Sequence, residues 1–150
     1  MAEDDTAETE GSPPRRVDVE LFIVHPAMSV AEITAALGLE AHFAHNVGDE
    51  RRTPTGTRLQ GQYRDTRWRH SFRQEIRNQW FVDEITALIQ LLMPHKLFLH
   101  RVRASGGTGE IIVQFFGDGY LADSVPLETL AKMVELQLDF GIECFSVPQS

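Results

Sequence analysis

Val17-Asp18-Val19-Glu20-Leu21-Phe22-Ile23-Val24, followed at once by His25-Pro26, is the stretch on which the reading of this chain turns. Val17, Val19, Leu21 and Ile23 fall on one face with Asp18 and Glu20 opposite, the period of a half-buried β-strand. Ser29 with Glu32 three residues on makes a capping box, Ile33, Ala36 and Leu37 supply a short helical stripe, and Gly38 suits a left-handed exit. Near the far end the same order returns: Ile111 to Phe116 as a strand, Ser124-Val125 opening a helix, and Gly141-Ile142-Glu143 after it. Strand, helix and strand in succession form a right-handed unit when the strands are parallel neighbours. Two such units around a central hairpin predict a single compact α+β domain. Its mixed sheet has about five strands, with helices mainly on one face.

The segments between these units carry weaker punctuation. From Glu40 to Gly61 the apolar pattern lapses, and Gly48-Asp49, Pro54 and Thr55-Gly56 predict a long loop or an irregular hairpin. Strand character resumes at Tyr63, and between Arg67 and Arg73 the residues alternate. Trp68, His70 and Phe72 share the packed face, while Arg67, Arg69, Ser71 and Arg73 share a cationic one. Asn78 is placed to cap a helix carrying Phe81, Ile85, Leu88 and Leu92, Met93-Pro94 breaks it, and a short helix runs from Pro94 to Arg103. After Asp118-Gly119, Pro126 starts what reads as the longest helix, with Leu127, Leu130, Met133, Val134 and Leu138 inward and Gly141 closing it. Ile142 to Val147 reads as the last strand.

With 150 residues and 42% hydrophobic side chains, the chain suffices for one core, placed at residues 17–150. Residues 1–16 have no apolar period and end beyond Pro13-Pro14, which predicts a disordered acidic tail. No run is long and apolar enough for a membrane helix, and a single cysteine, Cys144, allows no internal disulfide. A cytoplasmic protein is the expectation, with Cys144 a buried, inert thiol. The net charge of −8 is uneven: residues 51–77 carry +6, whereas residues 1–14, 15–50 and 110–150 carry −5, −4 and −6. Twelve of the fourteen basic residues are arginine, whose planar guanidinium suits bidentate carboxylate or phosphate contacts.

Several of these residues together resemble the bacterial domain of unknown function family numbered 4279. They are His25-Pro26, Leu37-Gly38-Leu39-Glu40, Gly48-Asp49, Pro54, Gly56-Thr57, Gly61, Tyr63, Trp68 and Gly141-Ile142-Glu143. The resemblance covers roughly residues 17 to 147 and implies a compact α+β domain. It implies no activity, ligand or catalytic residue.

Function must therefore come from the side chains. Arg67, Arg69 and Arg73, helped by Arg51, Arg52 and Arg64, form a candidate surface for an anionic ligand or an acidic partner. His25, at a strand end, is the fourth candidate binding residue, against a plainer role in holding the turn. His42 and His45 with Asp49 lack metal-ligand spacing and read as a surface loop, and no cofactor is implied. The Gly106-Gly107-Thr108-Gly109 run precedes a strand, whereas phosphate loops follow one, so it reads as a flexible connection. Overall negative charge opposes nucleic acid. The leading expectation is a non-enzymatic protein-binding module, immunity or antitoxin-like in one form, using segregated acidic and arginine-rich surfaces. The alternative is a sensor or enzyme for a small anion, with arginine as clamp and His25 or His70 moving a proton.

Overall fold

β1 (Arg16–His25) is the middle strand of a five-stranded mixed sheet in the computed structural model, which describes residues 16–75, 81–117 and 122–145. It is followed by α1 (Val30–Leu37), β2 (Phe43–His45), β3 (Glu50–Arg52), β4 (Arg58–Gln62) and β5 (Thr66–Glu75). Then come α2 (Phe81–Leu92), a 3-10 turn (Met93–His95), α3 (Lys96–Ala104), β6 (Thr108–Phe116), α4 (Leu127–Glu135) and β7 (Leu138–Phe145). The expected tail up to residue 15, the Asn78 cap, Asp118-Gly119 and residues 146–150 lie outside the described residues.

The sheet order is β2-β5-β1-β6-β7, with β6 and β7 parallel and the other pairs antiparallel. The second predicted unit is thus a direct one, β6–α4–β7. The first is split, because β5 lies between β1 and β2. The lapse in pattern between Glu40 and Gly61 is an irregular hairpin: β3 and β4 pair with a register shift as a separate two-stranded sheet, and β2 joins the main sheet's edge.

Register sorts the side chains into two faces. Val17, Val19, Leu21 and Ile23 align with Trp68 on β5 and with Ile111 and Val113 on β6, and all of them are buried beneath the helices. Ile33 and Leu37 of α1, Ile85, Leu88 and Leu92 of α2, Leu99 and Val102 of α3, and Met133 of α4 complete that core. Trp68 Nε1 finds a partner there, donating to Thr34 Oγ1 at 3.0 Å. α1 ends as its sequence demands: Ser29 Oγ accepts from Glu32 N at 3.1 Å, and Gly38 takes φ 65°, where a Cβ would be strained.

Several expectations need correction. α4 has 9 residues against 12 in α2, so it is not the longest helix. Its docking face is Thr129 and Met133, while Leu127, Leu130 and Val134 are exposed. The cause is the tight exit: Gln137 adopts φ 56°, the chain reverses at once into β7, and Leu136 and Leu138 become the buried residues. Gly141 lies inside β7, where the Glu110 carboxylate occupies the space a Cβ would need. Cys144 is exposed, because β7 is an edge strand whose far end no helix of the described residues covers. Finally, β1 is buried on both faces: Asp18 and Glu20 are 3% and 8% exposed, shielded on the open face of the sheet.

Candidate functional site

The open face carries charge in strips. Arg67 and Arg69 stand on β5, Glu20 beside them on β1, then Glu110 on β6, and Asp139 and Glu143 on β7, all on one side by register. Arg73 is opposite Asp18 on β5, with its side chain outside the described set. The basic and acidic strips therefore touch. Arg69 Nη1 donates to Glu20 Oε2 at 3.1 Å, its guanidinium lies 4.2 Å from the centre of the Phe22 ring, and Ser71 Oγ donates to Glu20 Oε1 at 2.9 Å. Two charge-assisted bonds thus compensate a nearly buried carboxylate, and Arg69 is committed to that role. Farther across, burial and then the neighbouring Asp139 and Glu143 push the Glu110 carboxyl above the ordinary carboxylate range, with Arg69 opposing.

His25 and His70 share the helix side of the sheet by register, away from Arg67 and Arg69. His25 is buried, and its Nδ1 accepts from Ala27 N at 2.9 Å and Met28 N at 2.8 Å. The ring proton must then sit on Nε2, which donates to Ser105 Oγ at 2.8 Å, and that hydroxyl donates onward to Arg101 O at 2.6 Å. Burial lowers the His25 pKa below its ordinary value. His25 therefore fastens the β1–α1 turn to α3. Gly107 packs against its ring, where a Cβ would come within 2.6 Å of Cδ2, so the glycine run is a close-packed connection rather than a flexible one.

The histidine that does meet an arginine is His45, paired with Arg67 across β2 and β5. It lines an open cleft of about 420 Å³ with Arg51, Tyr63, Arg64, Asp65 and Arg67. Local bonds build that cleft. Tyr63 N donates to Asp49 O at 3.0 Å and Gly48 N to Tyr63 O at 2.9 Å, which closes the β2–β3 turn against the base of the hairpin. Val47 N donates to the buried Thr66 Oγ1 at 2.9 Å, and Asn46 Oδ1 accepts from Val30 N at 2.7 Å, tying the turn to α1. The Tyr63 ring then stacks on His45 with centroids 3.6 Å apart.

In the cleft Arg67 Nε is 3.1 Å from Asp65 Oδ1. Arg51 and Arg64 have no carboxylate partner among the described residues. Both imidazole nitrogens of His45 are shut away from solvent without a hydrogen-bond partner, and Nε2 is 3.9 Å from Asp65 Oδ1, beyond bonding reach. Burial, reinforced by Arg67, lowers the His45 pKa against the opposing pull of Asp65 and Asp49. Sequence spacing hid this residue, since His45 gains its neighbours from β5 and from the segment joining β4 to β5. The surplus of arginine at positions 51–67 was the available signal. Among the described residues, no three His, Cys, Asp or Glu side chains come together as a metal site.

The other region of note is the outer edge of β7, which has no further strand beside it among the described residues. By register Phe140 and Ile142 point to the helix side, where they are 38% and 62% exposed, and α4 packs on that same side. Among the described residues no helix is long and apolar enough to cross a membrane.

These features define a small α+β domain whose mixed sheet is roofed by helices on one side and open and charged on the other. The chain belongs to the domain of unknown function family DUF4279, which matches residues 15–144. No curated protein and no solved structure matches the chain.

Proposed function

We propose that this domain is a non-enzymatic protein-binding module that accepts a partner's β-strand along the outer edge of β7. The observation that carries this reading is an apolar surface on the helix side: Leu127, Val134 and Ile142 are 81%, 76% and 62% exposed. Apolar surface left in water forgoes about 25 cal/mol per Å² of burial, and such patches mark interaction sites. An edge strand of 8 residues adds a row of backbone donors and acceptors for strand addition.

Charge defines the partner. On the open side of the edge stand Glu143, which accepts from Gln114 Nε2 at 3.0 Å, and Glu110 behind it, while Asp139 is already paired with Arg103 at 3.1 Å. An added strand therefore needs Lys or Arg on that side and apolar residues facing Phe140 and Ile142, an alternating pattern. A second copy is a poor complement, because it brings its own Glu143 and Glu110 to the same acidic strip. An immunity or antitoxin-like role in the cytoplasm, where the exposed Cys144 thiol persists, is one concrete form of this reading.

Fluorescence anisotropy with two labelled peptides of about nine residues tests it, one alternating lysine with valine and one with the same composition in two blocks. Saturable, salt-weakened binding of the alternating peptide, lost in a folded Ile142→Asp variant, is the expected result. Equal binding of both peptides, or of neither, overturns it. So does a concentration-dependent wild-type dimer, seen by sedimentation, that Ile142→Asp abolishes, since a second copy is then the occupant.

A further inference from the structure

We propose that the cleft formed by His45, Tyr63, Arg51, Arg64 and Arg67 binds a small dianion through carboxylate or phosphate oxygens. This site is separate from the β7 edge and does not depend on it. Three guanidinium groups from β3, β5 and the segment joining β4 to β5 line one space, and the single carboxylate lining it is Asp65, which leaves two positive charges over. The surplus guanidinium groups repel one another across this space, a cost that a bound anion relieves. Arg51 spends one bond on Gln60 O at 3.3 Å, and Arg64 has no carboxylate partner among the described residues, so their forks remain for bidentate contacts.

His45 forms the packed wall of this space. Its side chain is 13% exposed, with both ring nitrogens buried and unpaired. Buried imidazole nitrogens are ordinarily satisfied, as those of His25 are at 2.8–2.9 Å. Tyr63 covers one ring face, and with both nitrogens sealed from the cleft the imidazole is a packed wall of it, which leaves a ligand's oxygens to the guanidinium groups. A volume of about 420 Å³ is that of a small-molecule site, larger than one inorganic ion fills. Charge surplus, volume and the uncommitted guanidinium forks of Arg51 and Arg64 agree on a dianion bearing several oxygens.

Isothermal titration calorimetry of the full chain at fixed ionic strength tests this, with inorganic phosphate, succinate, acetate and a diglutamate peptide as probes. At least one dianionic probe should bind saturably, acetate about tenfold more weakly, and Arg64→Gln, a substitution at an exposed side chain, should weaken the dianion about tenfold. Nitrogen-detected NMR should show His45 ring shifts on titration with the His25 ring unchanged. Preference for phosphate or for succinate assigns the head group, and tighter binding of diglutamate assigns the source to an acidic peptide. No saturable binding, equal binding of acetate and dianion, or affinity unchanged in Arg64→Gln overturns the proposal. Ile142→Asp should leave these affinities intact, so failure at one site is distinguishable from failure at the other.

Discussion

In α2, Ile85, Leu88 and Leu92 are sealed from solvent, whereas in α4 Leu127, Leu130 and Val134, which follow the same helical period, are 81%, 41% and 76% exposed. Both stripes read alike in the sequence. The difference lies in what each helix is tied to. α2 follows the long β5 and lies across the centre of the sheet, so its stripe meets the β1 core residues. α4 is held by a turn that sends the chain straight into the edge strand, and that turn orients Met133 and Leu136 inward instead. A helical apolar period thus reports a face that favours apolar neighbours, without saying whether its own chain supplies them.

The largest expected effect tests the buried half of this contrast. Leu88→Ala removes a side chain 2% exposed in the centre of the core and should cost about 2–5 kcal/mol in urea unfolding. A loss near zero would mean that α2 is no better seated than α4, and the contrast would fall.

Arg67 and Arg69, two residues apart on one strand, sharpen it on the polar side. Arg69→Ala leaves Glu20, whose side chain is 11% exposed, with Ser71 alone, and should cost about 1–3 kcal/mol. Arg67 pairs with Asp65 where both are substantially exposed, at 49% and 33%, so Arg67→Ala should cost about 1 kcal/mol or less. Equal losses would show that the Glu20 pair is no more desolvated than a surface one.

The two lowered histidines give a smaller, pH-dependent effect. Each folded-state pKa lies below the ordinary 6.5, so between those values the unfolded chain binds more protons than the folded one. Their stabilising contribution is complete above about pH 6.5 and is lost as pH falls toward the folded values. Glu110, raised by burial, acts with the opposite sign, which makes the difference between variants the proper readout. Thermal unfolding between about pH 7 and 5 should show a shallower acid loss in His25→Asn and in His45→Gln, with the shallowest in the double variant. Unchanged slopes would indicate that neither ring is neutral through burial.

Much of the architecture was legible because it is local. The β1 alternation, the Ser29 cap and the Gly38 exit depend on neighbours a few residues away, and each appears in the structure as its spacing implies. The burial of Asp18 and Glu20 was not legible, since it is made by side chains from β5 and beyond. The cleft was half legible: the arginine surplus was plain, but His45 acquires Arg67 only through the pairing of β2 with β5, and Tyr63 only where the chain leaves the hairpin. His25 shows the converse, a residue with site-like sequence context whose bonds are all spent on a turn and on Ser105.

The smallest expected effect decides what the α4 stripe is for. Val134→Ser changes a side chain 76% exposed, so its effect on unfolding should stay within about 0.5 kcal/mol, against the several expected for Leu88→Ala. If the stripe serves a partner, the same substitution should lower affinity for the alternating lysine–valine peptide while the unfolding midpoint holds, separating binding from folding in one variant. A marked loss of stability would instead mean that Val134 is covered within the protein's own fold, and the likeness between α4 and α2 in the sequence would extend to the structure. A stripe neutral to both stability and binding would leave the β7 edge to hold the partner strand without help from the helix.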